Sequence, residues 1–302
     1  MVLAAGRATR MEPLSTVVAK PALEVLGRPL VSGAVAALRR AGCRRLVVNL
    51  HRHPALVAAA ARSCDAGIAF SWEPELLGGA GGLAAARGLL GEGGVLAANA
   101  DVWTDLDPTP LYRAGEAGTI TLALLPHPDP ARWGSVLLDR QGRVRDLVAA
   151  GASATGERYL FTGFQLLGAE ATASLLEPPV EMRTAWETVR HRGALRGVVV
   201  AGSWREVGTP SAYLSLVTEL LGEGSWVHPQ AEVAAEARVV RGAVGAGCRV
   251  GPGALVEESV LTAGAALAKG ARLRRCVAAG PVTVTGARSD AVILPEGVSP
   301  LL

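Results

Sequence analysis

Val2-Leu-Ala-Ala-Gly-Arg-Ala-Thr-Arg-Met-Glu-Pro-Leu14 opens the chain, and Ala19-Lys-Pro21 follows closely. Residues 2–5 form a short apolar run that Gly6 ends. A strand that stops at a glycine passes into a loop, and this loop offers bare backbone amides, Arg7, Arg10 and the Thr9 hydroxyl. Successive N–H groups make a concave anion site, and a guanidinium adds bidentate bonds to phosphate oxygens. Lys20 is one of only two lysines among 30 basic residues, the other being Lys269. A lysine kept in a chain that otherwise uses arginine points to a need for a compact ammonium.

Outward from this run the same texture repeats. Residues 31–41 read as a helix stopped by Gly42, 45–49 as a strand, 54–62 as a helix and 67–72 as a strand. Residues 82–90 then read as a helix and 94–99 as a strand that leads to Asp101. This alternation predicts an α/β fold, a Rossmann-like, mostly parallel sheet with helices on both faces. Such sheets bind ligands at the carboxyl ends of their strands, where the Gly6 loop and Asp101 both fall. Residues 119–125 and 134–138 are further strands, Asp139-Arg-Gln-Gly142 has the chemistry of a hairpin turn, and 210–221 read as a helix.

After Ser225 the period changes. Apolar residues recur every six positions at Val227, Val233 and Val239, restart at Val244, Val250 and Val256, and restart again at Leu261, Leu267 and Leu273. An α-helix would space them by three and four; a six-residue period marks a parallel β-helix of hexapeptide repeats. The expected organisation is one α/β domain over 1–222, a β-helix over 226–290 and a tail over 291–302. Because each coil contacts mainly its neighbours, the two cores are expected to be nearly separate.

Composition excludes several classes. A net charge of +3 without a dense basic block argues against a nucleic-acid partner. No apolar run reaches the ~18 residues of a membrane span. The four cysteines are scattered, with no Cys-x-x-Cys pair, so reduced thiols in a cytoplasmic protein are expected. His51 and His53 form a His-x-His that reads as a solvated loop. The dinucleotide fingerprint Gly-x-Gly-x-x-Gly is missing, which argues against a dehydrogenase.

The opening run resembles the signature of the sugar-1-phosphate nucleotidylyltransferases, Leu-Ala-Ala-Gly-x-Gly-Thr-Arg-Met-x-Pro-Leu with a Pro-Lys-Pro downstream. Leu77-Gly-Gly-Ala-Gly-Gly-Leu83 is similar to the family's base-binding loop, and Asn99-Ala-Asp101-Val-Trp-Thr-Asp105 to its metal-binding Asn-Gly-Asp segment. Trp133-Gly134 and Phe161-Thr-Gly163 look like sugar-pocket segments. Trp204-Arg-Glu-Val-Gly-Thr-Pro210 resembles the segment that carries a second metal carboxylate. Within the family the likeness is to the muramate-type uridylyltransferases and the mannose-type guanylyltransferases.

The resemblance implies transfer of a nucleotidyl group from an NTP to a sugar 1-phosphate, with pyrophosphate released. It implies Arg10 and Lys20 as catalytic residues, and Leu3, Ala4, Ala5, Gly6, Thr9, Gly78, Gly81 and Gly82 as nucleotide-binding. Trp133, Gly134, Thr162 and Gly163 would line the sugar site. Asp101 and Glu206 would hold Mg²⁺, with Mn²⁺ as a second candidate. The tail resembles the left-handed β-helix that many members append, which implies a homo-oligomer. Four departures stand out: Ala8 for the second glycine, Ala19 for proline, Gly79 where threonine is common, and Arg145-Asp-Leu-Val-Ala149 where the family has Glu-Lys-Pro. With Glu206 standing where the family has aspartate, they keep open a regulatory or nucleotide-sugar-binding homologue of weak or no activity. An acyltransferase, another activity found on hexapeptide β-helices, is disfavoured because His228 lies on the first rung.

Overall fold

The computed structural model describes residues 1–175 and 180–302. Packing divides the chain into two units that are not consecutive in sequence: Met1–Gly6 with Val31–Trp204, and Arg7–Leu30 with Arg205–Leu302.

The first unit is built on β1 (Val2–Leu3), β2 (Val47–Leu50), β3 (Ala69–Trp72), β4 (Val95–Asn99), β5 (Ile120–Pro126), β6 (Ser135–Leu138), β7 (Val144–Val148), β8 (Tyr159–Leu167) and β9 (Leu195–Val199). Among the described residues they form one nine-stranded sheet in the order β7-β6-β8-β4-β1-β2-β3, with β5 paired to β8 and β9 to β5. The half β4-β1-β2-β3 is parallel, and β8 runs antiparallel to β4 and β5. Helices α1 (Ser32–Arg40), α2 (Pro54–Cys64) and α3 (Gly78–Ala85) fall between successive parallel strands, as the alternation predicts. All four residues of β2 are buried, the pattern of a strand covered on both faces. The core gathers Val47, Leu83, Val95, Ile120, Leu122 and Leu195. The β6–β7 turn closes on Asp139, whose Oδ1 accepts from the amides of Gln141 and Arg143 at 2.8 and 2.9 Å.

In the second unit, α4 (Pro210–Leu221) has the bounds read from the sequence. Thr209 caps it by accepting from the Ala212 amide at 3.1 Å, and Gly222, at φ +55°, stops it. The β-helix follows as three parallel ladders. Trp226, Ala243, Val260 and Val277 stand in register, as do Glu232, Arg249, Ala266 and Thr283, so successive coils repeat every 17 residues. Val244, Val250, Val256, Leu261, Leu267 and Leu273 fill its interior. The last coil is two residues shorter, with Val277 opposite Val292 and Arg272 opposite Ala287. The ladder thus continues past residue 290 to the strand Ala291–Leu294, and Gly297–Pro300 folds back on it antiparallel. The segment read as a tail is the last coil and its closing strand.

Both faces of the first ladder are buried. Val244 and Leu261 point into the β-helix, yet the alternate residues Ala243, Val260, Val277 and Val292 are also buried. Residues of Arg7–Leu30 lie against this part of the unit. A Cβ placed on Gly280 would be 3.8 Å from Val17 Cβ, one on Gly245 3.7 Å from Glu24 Oε2, and one on Gly27 2.8 Å from the Trp226 ring. The Tyr213 hydroxyl of α4 donates to the Glu24 carbonyl at 2.6 Å. The unit that holds the β-helix thus also takes in Arg7–Leu30, since a solenoid face that stays apolar must be covered.

Candidate active site

Within the first unit the motif segments meet at the carboxyl ends of the parallel strands. Leu3 stands opposite Asn99 in the β1–β4 ladder, and the Ala100 amide donates to the Leu3 carbonyl at 3.1 Å. Ala4, Ala5 and Gly6 therefore leave β1 beside Asp101, which lies two residues past the end of β4. Ala4 and Ala5 are buried and Gly6 is exposed; a Cβ on Gly6 would meet no described atom within 4 Å. Internal packing does not require that glycine.

Residues 78–82, expected as a loop, are the first turn of α3. The helix predicted over 82–90 begins four residues earlier and divides into Gly78–Ala85 and Arg87–Leu90. The cause is local. Gly78 has φ +75°, and a Cβ there would sit 2.5 Å from the Val180 carbonyl oxygen, which accepts from the Ala80 and Gly81 amides at 3.1 and 3.0 Å. The Gly81 amide is thus engaged within the protein.

The segments expected to line a sugar site form an aromatic corner. Trp133 and Trp204 meet edge to face at 5.4 Å, and the Arg132 guanidinium lies 4.4 Å from the Trp133 ring centroid. Trp204 Nε1 donates to the Thr162 carbonyl at 3.0 Å. The Thr162 side chain is fully buried and donates to the Ala123 carbonyl at 2.9 Å, so its hydroxyl is a structural group. Gly163, at φ +92°, brings β8 close to β4: a Cβ there would lie 3.1 Å from Asn99 Cβ. Gly134 follows Trp133, and a Cβ on it would lie 3.0 Å from the Val148 carbonyl oxygen. Asp105 clamps the turn before Trp204. Its Oδ1 accepts from the Ser203 amide at 2.7 Å, and this bond holds its carboxyl below the usual range.

Within the second unit, Ala8 has φ +52° and ψ +40° at the start of the 3₁₀ turn Thr9–Met11. The alanine that departs from the family's glycine thus occupies a backbone conformation that suits glycine. Thr9 and Arg10 are exposed, whereas Lys20 is buried at the start of the turn Lys20–Ala22. Arg10 Nη2 donates to Glu206 Oε1 at 2.6 Å; the two side chains are 64% and 13% exposed. Gly208 leaves room for the pair, because a Cβ there would be 3.1 Å from Arg10 Nη1 and 3.4 Å from Glu206 Cδ. The residue expected to grip phosphate and a residue expected to hold metal thus hold each other.

Sequence reasoning missed Asn49 and Glu73, both buried and hydrogen-bonded to each other at 2.7 Å. The signal was present: a single amide inside the apolar strand Leu46-Val-Val-Asn-Leu50, and a carboxylate directly after β3. His51 Nδ1 lies 2.9 Å from the Glu73 carbonyl. Among the described residues no three His, Cys, Asp or Glu side chains gather as a metal cluster. A cavity of about 370 Å³ lined by Met1, Arg44, Arg45, Glu92 and Tyr112 lies at the opposite, amino ends of β1 and β4. No helix among the described residues is long and apolar enough to cross a membrane.

Comparison with known proteins decides the family. The nucleotidyl transferase profile matches residues 1–223. The chain is 32% identical over 235 residues to the N-acetylmuramate alpha-1-phosphate uridylyltransferase of Caulobacter vibrioides, spanning 73% of this chain and 96% of that protein. The chain belongs to the nucleotidyl transferase family. This nucleotidyltransferase is also 26% identical over 307 residues to the mannose-1-phosphate guanylyltransferase of Mycobacterium tuberculosis, covering 91% of this chain and 82% of the relative. In fold, the nucleotidyltransferase resembles HddC of Yersinia pseudotuberculosis, with a TM-score of 0.62 at 18% identity over 72% of this chain and 97% of that one. Its relatives place it among the sugar-1-phosphate nucleotidyltransferases.

Proposed function

We propose that this enzyme joins a nucleoside triphosphate to a sugar 1-phosphate, giving a nucleotide-sugar and pyrophosphate, with UTP and N-acetylmuramate 1-phosphate as the first substrate pair. The observation that carries the choice of pair is the match to the Caulobacter uridylyltransferase over nearly its whole length. GTP with mannose 1-phosphate is the second reading, favoured by relatives matched over 91% of this chain, β-helix included.

The sugar phosphate is already an anion, so the reaction needs no side-chain nucleophile. Its barrier lies in bringing two anions together and neutralising charge at the α-phosphorus. In this reading the amides of residues 4–6 and the segment 78–82 receive the nucleotide, while Arg10 and Lys20 neutralise phosphate oxygens. Trp133, Gly134 and Gly163 border the sugar, and Thr162 supports them from beneath. Asp101 and Glu206 are the carboxylates for a divalent cation, Mg²⁺ with Mn²⁺ as an alternative. The donor set fits a hard ion that takes few protein ligands and completes its shell with water and substrate phosphate. When bound, that ion supplies charge stabilisation to the transferring phosphoryl group. In this reading Arg10 exchanges its bond to Glu206 Oε1 for phosphate oxygens as the substrates and the ion bind. A cytoplasmic place of work and a homo-oligomer assembled through the β-helix belong to the same reading.

Pyrophosphate release, measured with a panel of NTPs and sugar 1-phosphates, is the test. Asp101→Asn keeps shape and removes charge, so turnover should vanish while the melting temperature holds. An Asn variant as active as the parent removes Asp101 from the metal site. A parent that binds nucleotide-sugars but releases no pyrophosphate with any pair is a binding homologue.

A further inference from the structure

The two backbone segments assigned to the nucleotide are tied together from beneath by two side chains. Asn49, in β2, accepts from the Ala4 amide through Oδ1 at 2.6 Å. Its Nδ2 donates to Glu73 Oε1 at 2.7 Å, and Glu73 Oε2 accepts from the Leu77 amide at 3.1 Å. This chain of three hydrogen bonds runs from the exit of β1 to the start of α3. Asn49 is 3% exposed and Glu73 1%. The backbone of Glu73 is also held, its amide donating to the Leu50 carbonyl at 2.8 Å. α3 closes over the pair through Gly82, where a Cβ would lie 2.6 Å from Glu73 Oε1 and 2.9 Å from Asn49 Nδ2.

A buried carboxylate and a buried amide cost stability against an apolar pair of similar volume. What an apolar pair could not do is fix the orientation of two amides on different elements. Each acceptor here has one donor, and each bond is directional.

We propose that Asn49 and Glu73 are positioning residues that set the spacing between residues 4–6 and 77–82, and so set nucleotide affinity. The inference rests on the nucleotide role proposed above for those two segments. Neither side chain is placed on substrate; both act through the backbone they hold. Gly82 belongs to the device as the position whose missing side chain lets α3 sit on the pair.

The bonding pattern supplies its own test. Asn49→Asp sets two carboxylates against each other at the 2.7 Å contact. Glu73→Gln brings an amide against an amide or leaves the Leu77 N–H unmatched. The double variant Asn49→Asp/Glu73→Gln restores every bond. Its carboxylate in β2 would accept from the Ala4 amide and from the side-chain amide introduced after β3, whose oxygen in turn accepts from Leu77.

The measurements are UTP affinity, KM for UTP, KM for N-acetylmuramate 1-phosphate, and melting temperature, with GTP and mannose 1-phosphate as the second pair. Each single variant should raise the nucleotide Kd and KM about tenfold or more, leave the sugar-phosphate KM within about twofold, and be rescued in the double variant. Should Asn49→Asp fail to fold, Glu73→Asp replaces it: it keeps the charge but is too short to reach both partners, so the same rise in nucleotide KM is expected. Single variants that lose melting temperature while keeping nucleotide affinity overturn the proposal, as does a double variant no tighter than the weaker single. A parent that releases no pyrophosphate refutes the proposed reaction, and UTP affinity then decides this inference by the same criteria.

Discussion

Ala8 holds a left-handed backbone that costs an L-residue about 1–2 kcal/mol. We expect Ala8→Gly to remove most of that strain and repay some of it in chain entropy, for a net gain of about 0.5–1 kcal/mol, read as a rise in melting temperature. Turnover should rise with it, because the Cβ leaves the loop assigned to the triphosphate. At Arg10 the balance is reversed. The Arg10–Glu206 pair has one largely exposed partner, so Arg10→Ala should cost no more than about 1 kcal/mol of stability while reducing kcat/KM far more. Glu206→Asp shortens the arm that reaches Arg10; nucleotide should then bind more tightly in the absence of metal, as isothermal titration would show. Motif spacing singles out Arg10, Asp101 and Glu206 as candidates from the sequence alone. What spacing could not show was that Arg10 and Glu206 bond to each other, because that contact joins positions far apart in the chain. Nor could it show that the Thr162 hydroxyl is buried in the sheet, because strand alternation fixes a face only once the neighbouring strand is known.

Elements were read well where local chemistry sets their limits. The helix Pro210–Leu221 has a threonine cap, proline at its first turn and glycine at its end, and these local signals alone define its bounds. α3 was misplaced because its glycines read as loop, whereas its start is set by the distant Val180 carbonyl. Gly78→Ala should therefore be severe, combining an unfavourable φ with a 2.5 Å approach to that oxygen. We expect reduced stability and a raised nucleotide KM, with the sugar-phosphate KM less affected. The α4 contact with Glu24 offers a gentler probe. Tyr213 is buried, which pushes its phenol up, and its hydroxyl serves one carbonyl. Tyr213→Phe leaves that carbonyl without its donor, for an expected loss of about 1–2 kcal/mol by chemical denaturation.

For the molecule as a whole, the β-helix was the most legible part, since its spacing of 17 residues is the register of its ladders. Its relation to the rest was not legible, because six-residue periodicity reports the inward face and is silent about what covers the outward one. Deleting residues 226–302 should therefore do more than change assembly. Val17, Leu23, Val25 and Leu30 belong to a segment that packs in the same unit as the β-helix, and Leu23, Val25 and Leu30 are fully buried. We expect the truncated chain to aggregate or melt well below the parent, as scattering and circular dichroism would show; a soluble, active fragment would speak against it. Acid should weaken the first unit. Asp65 is held below the usual carboxyl range by Arg39, Asp105 by the Ser203 amide and Asp107 by Thr109. These folded-state values lie below the unfolded ones, so their contribution is complete above roughly pH 4–5 and is lost as the pH falls further. A melting temperature that declines on acidification checks the sign.

The strand Gly297–Pro300 runs against the direction of the ladder it joins. A stack of identical parallel coils has no intrinsic end, since its last rung offers a new chain the same template that it was built upon. Head-to-tail addition of that kind is open and leads to fibres, whereas closed assemblies need a self-complementary patch. By turning back, this strand replaces a repeating edge with a unique one, and proline at its end withholds a donor from any strand that would follow. The strand Gly297–Pro300 therefore interrupts the parallel template along the axis of the β-helix, because a coil stacked on it would meet a strand of the opposite sense.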